Sequence, residues 1–328
     1  RQMCIRDRLM RASRRGGFFM RKTTIDEAIA RVDDWKGKEI SYKPVSGGIT
    51  NPNFKVDVEG EHFFLKIPGA GTDYINREVC HEANVIADES KAGPRVYYYF
   101  EDTGVEIFQW LDGYRQVTFG DVYDKDIFQS IFERIRDFHH LETKPLNLKQ
   151  SIFEQAWDMN ARAKKGGYIS PFNDKMEYLL SAIEKALAGS EELCPCHNDF
   201  WTNNLMYNEE TNDLKIIDYE YASMNDPYVD LGLISAVNYF TEDMDVEMMK
   251  IYGGGKVDER AFARMKLNKI ACDIKWAYWA LYQAASSNVE FDYMNWYGQK
   301  MARLQHFWLD SRLDYWLDVA REKSTRIS

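Results

Sequence analysis

The 328-residue chain has few cysteines, no long apolar run and, beyond its first residues, too few bases to balance its acids. The five cysteines show no framework spacing, and Cys194 and Cys196 stand only two apart, which points to free thiols in a reducing, cytoplasmic setting. No apolar stretch approaches the roughly 18 residues that span a bilayer, so no membrane span is expected. No internal repeat or low-complexity linker separates parts of the chain. Residues 1–22 hold eight bases and one acid; the other 306 carry 34 bases and 51 acids, a charge of −17 against −10 for the whole. Such a body repels phosphate backbones and anionic membranes, which argues against nucleic acid as a partner and favours a small cationic ligand.

What is present is globular. Hydrophobic residues make up 45% and charged residues 29% of the chain, and its length allows two lobes at roughly 100–200 residues each. Aromatics are abundant at 14%, and five of the nine tryptophans follow residue 275. Residues 1–19 resemble translated adaptor sequence and lack the period and serine content of a transit peptide. They read as a non-native or disordered leader, with the native start expected at Met20.

Thr24 and Glu27 form a capping-box pattern that opens a helix to about residue 35. β-rich runs follow at 40–45, 53–58, 62–67, 95–100 and 105–111, with a helix over about 73–90 between the third and fourth. Beyond about residue 121 the period is helical, over 121–141, 151–163 and 171–188, broken by short strands at 204–207 and 214–217. Helices resume near residue 228. The expected fold is α+β, protein-kinase-like and two-lobed: a small antiparallel sheet in residues 20–112 and a mainly helical lobe in 113–328.

The sharpest motif is His197-Asn-Asp199 with Asn204 five residues on, followed fourteen residues later by Asp218 in Ile-Ile-Asp-Tyr-Glu-Tyr. An H-x-D-x-x-x-x-N run before a hairpin ending in Asp is the phosphotransferase arrangement of the kinase fold. Asp199 would orient and accept the proton of an attacking hydroxyl, and Asn204 and Asp218 would give oxygen ligands to Mg²⁺ beside ATP. The competing reading is a surface hairpin whose Asp and Asn only shape turns. Upstream, Ser46, Gly47, Gly48, Thr50 and Asn51 lie between two strands, where unhindered backbone can approach the ATP phosphates. Lys66 closes the third strand at the position for the α- and β-phosphates. Glu78 and Glu82 share a face of the next helix and either could pair with it. Gln109 and Leu111 flank Trp110 in the expected adenine hinge. Eleven residues separate Asp218 from Asp230, too few for a peptide-binding activation segment, so the acceptor is expected to be a small molecule.

A second constellation is aromatic. Trp276 and Trp279 share a helix face, and Tyr293 and Trp296 repeat the spacing. Such a stripe serves a core, or it offers π-faces to a quaternary ammonium at roughly 0.5–2 kcal/mol each. Cys194, Cys196 and His197 lack a second ligand pair for a structural zinc site, and the His139-His140 pair reads as a capping or packing feature.

Across about residues 43–308 the chain resembles the choline kinase and choline/ethanolamine kinase family, relatives of the aminoglycoside phosphotransferases. The resemblance runs through SGGITN, HNDFWTNN, IDYEYA and the stretch from KWAYWALYQ to EFDYMNW, the last being the most specific. It implies ATP- and Mg²⁺-dependent phosphorylation of choline, with catalysis by Asp199 and Asp218 and a substrate cage of Tyr221, Trp276, Trp279, Tyr293 and Trp296. Glu220, beside Tyr221, is counted with the substrate-binding residues. One departure stands out: near Val237 and Asn238, where eukaryotic relatives place a carboxylate, this chain has none. Ethanolamine, thiamine or another hydroxyl compound therefore stays open as acceptor, as does a non-catalytic choline or nucleotide binder.

Overall fold

The computed structural model describes residues 22–45, 51–69, 72, 75–142, 145–189, 193–287 and 290–321. The expected leader and the Ser46, Gly47, Gly48 and Thr50 of the phosphate loop lie outside these residues. The chain divides into two compact units, residues 1–73 with 97–110, and residues 74–96 with 111–328.

In the smaller unit, helix α1 (Ile25–Ile29) starts from the expected capping box, the Thr24 hydroxyl accepting from Glu27 N–H and the Glu27 carboxylate from Thr24 N–H. It stops earlier than the sequence suggests, and a 3-10 turn over Asp33–Trp35 follows. Strands β1 (Ile40–Pro44), β2 (Asn53–Val58), β3 (Glu61–Lys66), β4 (Val96–Phe100) and β5 (Val105–Gln109) form one sheet in the order β1-β2-β3-β5-β4. Alternation puts Val56, Val58, Phe63, Leu65, Val105 and Ile107 on one face, where they pack with Ala28, Val32 and Trp35.

Helix α2 (Arg77–Glu89), expected with the first lobe, clusters with the larger unit. Its apolar stripe, Val79, Ala83, Ile86 and Ala87, packs into a core with Phe128, Phe132, Ile135 and Ile216. The larger unit adds β6 (Arg115–Gln116), α3 (Lys125–His140), α4 (Ile152–Lys165), α5 (Asn173–Leu187), β7 (Cys194–Cys196), β8 (Leu205–Asn208), β9 (Asp213–Ile216) and β10 (Ser223–Asn225). It continues with α6 (Tyr228–Val237), α7 (Glu242–Tyr252), α8 (Glu259–Ser286), α9 (Tyr293–Leu309) and α10 (Leu313–Arg321). The hairpin β8-β9 was legible; β6, which joins it, and the pair β7-β10 were not, being two or three residues long.

Helix α8 is 28 residues long and buried on nearly all sides, with α4, α6, α9 and α10 against it. Gly232 on α6 permits the close approach: a Cβ there would sit 2.6 Å from the Lys269 backbone nitrogen of α8. None of the described helices is long and apolar enough to cross a membrane.

Candidate active site

The larger unit assembles the His197 motif as a tied loop between β7 and β8. Asp230, in the first turn of α6, accepts from the backbone N–H groups of His197 and Asn198, both at 2.7 Å, and fixes the loop's entry. His139 of α3 shares Asp230 with the loop, its Nε2 3.0 Å from the same Oδ2 that accepts His197 N–H, while its Nδ1 meets the Tyr252 hydroxyl. Asn198 takes a left-handed backbone, φ 62°, which Asn tolerates better than most residues. Its side chain holds that turn by donating to the Tyr221 carbonyl and Ser223 hydroxyl and accepting from Asn225.

The buried His197 ring is spent on the loop. Burial lowers its proton affinity, so the neutral ring accepts the Asp199 N–H at Nδ1 and donates from Nε2 to the Ile217 carbonyl at 2.9 Å. It is therefore no partner for Cys194 and Cys196. The ring near those sulfurs is His139, the three donor groups lying within 4.8 Å of one another, and both its nitrogens already have polar partners.

Asn204 donates from Nδ2 to the Asp199 carbonyl at 2.9 Å and accepts Ile217 N–H on its own carbonyl at 2.9 Å. These bonds bring the Asn204 and Asp218 segments side by side and leave the Asn204 amide oxygen as a donor atom that could hold a metal. Asp218 is exposed, at a left-handed φ of 70° just beyond β9. Two hard oxygen donors, one of them anionic, suit Mg²⁺. Burial pushes the Asp199 carboxyl up to about 7; Asp218 and Glu220 push the same way, while Lys275 and the Asn204 bond pull it down. A carboxylate poised near neutrality suits a general base.

The aromatic stripe forms one contiguous set of rings. Tyr221 meets Trp276 at 5.6 Å, Trp276 meets Trp279 at 5.4 Å, and Trp279 meets Tyr293 at 5.8 Å and Trp296 at 6.3 Å, all tilted or edge-on. Sequence reasoning missed one member, Trp201, 4.5 Å from Trp296; Phe291, which opens the EFDYMNW stretch after Glu290 and was not counted among the cage rings, lies 5.7 Å from Trp296. Trp201 lies within the HNDFWTNN motif itself, only two residues after Asp199, and that proximity was the available signal.

Two lysines were also missed. Lys275 Nζ lies 3.3 Å from the Trp276 ring centroid and 4.8 Å from that of Tyr221. Lys300 Nζ lies 4.2 Å from Trp296 and 4.7 Å from Trp201. Both are fully buried, and among the described residues neither Nζ has a hydrogen-bond acceptor; nor have the indole N–H groups of Trp276, Trp279 and Trp296. Burial lowers Lys275 to about 8, against the pull of Asp199 and Cys272. Burial and then Arg303 lower Lys300 to about 7, against Asp273 and Asp199. Lys300, four residues beyond Trp296 on α9, was detectable by helix spacing.

Glu220 is already engaged: its buried carboxylate accepts from Arg77 of α2 at 2.6 Å. Glu242 pairs with Arg312 at the surface. Neither replaces the carboxylate lacking near Val237 and Asn238. A cleft of about 230 Å³ reaches Glu220 and Tyr221 and is also lined by Asn76, Asp158 and Tyr282. A larger cavity of about 510 Å³, beside Arg136 and Tyr252, touches none of the expected site residues.

Of the expected ATP residues, Asn51 is buried in the smaller unit, its Oδ1 accepting Gly69 N–H at 3.1 Å. Lys66 ends β3 between Asn53 and Glu106, and Gln109 ends β5 opposite Phe63. Leu111 and Glu82 belong to the larger unit, where the Glu82 carboxylate accepts from the backbone and side-chain amides of Asn147. Glu78 is exposed.

A family model described as Choline/ethanolamine kinase matches residues 42–252. The chain is 23% identical over 313 residues to "Probable choline kinase 3" of Arabidopsis thaliana, covering 85% of this chain and 88% of that protein. It is 23% identical over 306 residues to "Probable ethanolamine kinase A" of Dictyostelium discoideum, covering 80% and 84%. A solved choline/ethanolamine kinase family protein from Mesorhizobium loti is similar with a TM-score of 0.77 and 25% identity, over 90% of this chain and 98% of that one.

Proposed function

Since the chain belongs to the choline/ethanolamine kinase family and is a phosphotransferase acting on an alcohol group, we propose that its acceptor is choline, phosphorylated by ATP to phosphocholine and ADP. The observation that carries this reading is the contiguous ring set Tyr221, Trp276, Trp279, Tyr293 and Trp296 in the unit that holds Asp199. A quaternary ammonium has no N–H to donate, so π-faces are its natural partners. A primary ammonium calls for carboxylates or carbonyls, and the carboxylate of Glu220 is engaged with Arg77.

In this reading Asp199 aligns the choline hydroxyl and takes its proton as the oxygen bonds to the γ-phosphorus and the bond to the β-γ bridging oxygen breaks. Asn204 and Asp218 would hold Mg²⁺, which when bound neutralises phosphate charge. Asn51, Lys66, Gln109, Leu111 and Glu82, with Ser46, Gly47, Gly48 and Thr50, would bind ATP. Glu220 acts with Arg77 in holding Tyr221's segment. Free thiols at Cys80, Cys194, Cys196 and Cys272 support a reducing, cytoplasmic setting.

An ADP-release assay across choline, ethanolamine, thiamine and an aminoglycoside tests the acceptor, with choline expected to give the highest kcat/KM. Trp279→Ala is expected to raise the choline KM about tenfold, as loss of one ring at roughly 1.4 kcal/mol implies. Preference for ethanolamine or thiamine, or no turnover of any acceptor, rejects the reading.

A further inference from the structure

We infer that Lys275 and Lys300 are specificity-determining residues of the acceptor site: their ammonium groups occupy ring faces on which a quaternary ammonium would lie, so choline binds in competition with the protein's own cations. The inference rests on the acceptor reading above. Three of the rings concerned, Tyr221, Trp276 and Trp296, are expected cage members, and the fourth, Trp201, stacks on Trp296.

The geometry leaves little room for a second cation on those faces. At 3.3 Å from the Trp276 centroid, Lys275 Nζ is at contact distance. A choline ammonium beside it would meet a like charge a few ångströms away, in surroundings where charges are poorly screened. An ordinary buried lysine is paired, whereas these two have no acceptor among the described residues. Among the described residues the rings are the favourable contacts of these ammonium groups, apart from the longer-range pull of acidic groups. For the acceptor to reach these faces each lysine must swing aside, and loss of its proton releases it to do so, since a neutral amine is no longer held to a π-face.

Loss of the proton is accessible. The groups acting on Lys275 are Asp199, from the loop after β7, and Cys272 on its own helix. Those acting on Lys300 are Arg303 on its own helix, Asp273 on α8, and Asp199. Both amines are held below the usual lysine range, so they are charged at low pH and become neutral as pH rises through about 7 to 8. Choline keeps its charge throughout, and its affinity should therefore increase over that interval. Asp199 becomes ionised over part of the same range and also favours a cation, so the lysine contribution is the part that disappears when the lysines are replaced.

The test is binding of choline and of tetramethylammonium to the full chain, read by tryptophan fluorescence between about pH 6.5 and 9. It compares the native chain with Lys275→Met, Lys300→Met and the double variant. At neutral pH Lys275→Met and the double variant are expected to bind both cations about tenfold more tightly or better and Lys300→Met about twofold, following the charged fraction of each amine, and all with a flatter pH profile. Lys275→Arg, which keeps its charge, is expected to stay weak across the range and covers the case of a Met variant that does not fold. Affinity unchanged or weakened in the Met variants, or no binding by any of the proteins, overturns the inference. A choline KM measured in parallel separates the two readings. Tighter cation binding without choline turnover keeps the lysine role and rejects choline as acceptor. Turnover with a KM indifferent to both lysines does the reverse.

Discussion

Asp199 and Asn198 show how much chemistry a few residues of one loop can carry. Asn198 accepts a left-handed backbone and ties it with its side chain, so that Asp199 leaves the turn with its N–H on His197. Burial then lifts the Asp199 carboxyl toward neutrality. Removing that charge relieves an electrostatic cost, so Asp199→Asn is expected to fold and bind nucleotide while losing about 10²–10⁴-fold in kcat, the usual worth of a general base. ADP release and a thermal melt on one preparation check both halves; substantial residual turnover would remove Asp199 from its role. Types and spacing made Asp199, Asn204 and Asp218 legible in the sequence. The tethers were not, because Asp230 bonds residues more than thirty positions away and His139 comes from another helix.

Among the elements, α6 and α8 position the loop and the rings. Helix α6 brings Asp230 under the loop, and α8 carries Trp276 and Trp279 together with Lys275. Their packing depends on Gly232: the added methyl of Gly232→Ala would meet backbone of Lys269 at 2.6 Å and of Asn268 at 3.0 Å, neither of which can rotate away. The expected cost is about 1–3 kcal/mol, read as a Tm lower by several degrees. Because Asp230 moves with α6, kcat should fall as well; a variant with native Tm and kcat would show that the helices separate freely. The sequence placed the start of this helical run near residue 228, where α6 begins, but did not divide the run into its helices. The neighbours of helix α2 were not legible, because its stripe, Val79, Ala83 and Ile86, fits any apolar surface and only the folded chain selects which.

At the level of the whole molecule, the protein-kinase-like fold divides into a five-stranded sheet unit and a mainly helical unit, each with its own core. The −17 carried outside residues 1–22 is spread over both units and sets up a negative field around the chain. Attraction of cationic choline should be screened by salt, so its kcat/KM is expected to decline as ionic strength rises past about 0.1 M, where the Debye length is about 10 Å. An uncharged acceptor analogue should show no such decline; equal salt dependence of the two would exclude steering. Composition and spacing alone determined the fold class, the Asp199, Asn204 and Asp218 set and the aromatic stripe, since periodicity and residue type are local properties. Tertiary structure decided that Trp201 joins the rings, that Glu220 is engaged with Arg77, and that Lys275 and Lys300 lie on the ring faces. Those facts depend on which buried groups lack or find a partner, and partners distant in sequence meet only when the chain is packed.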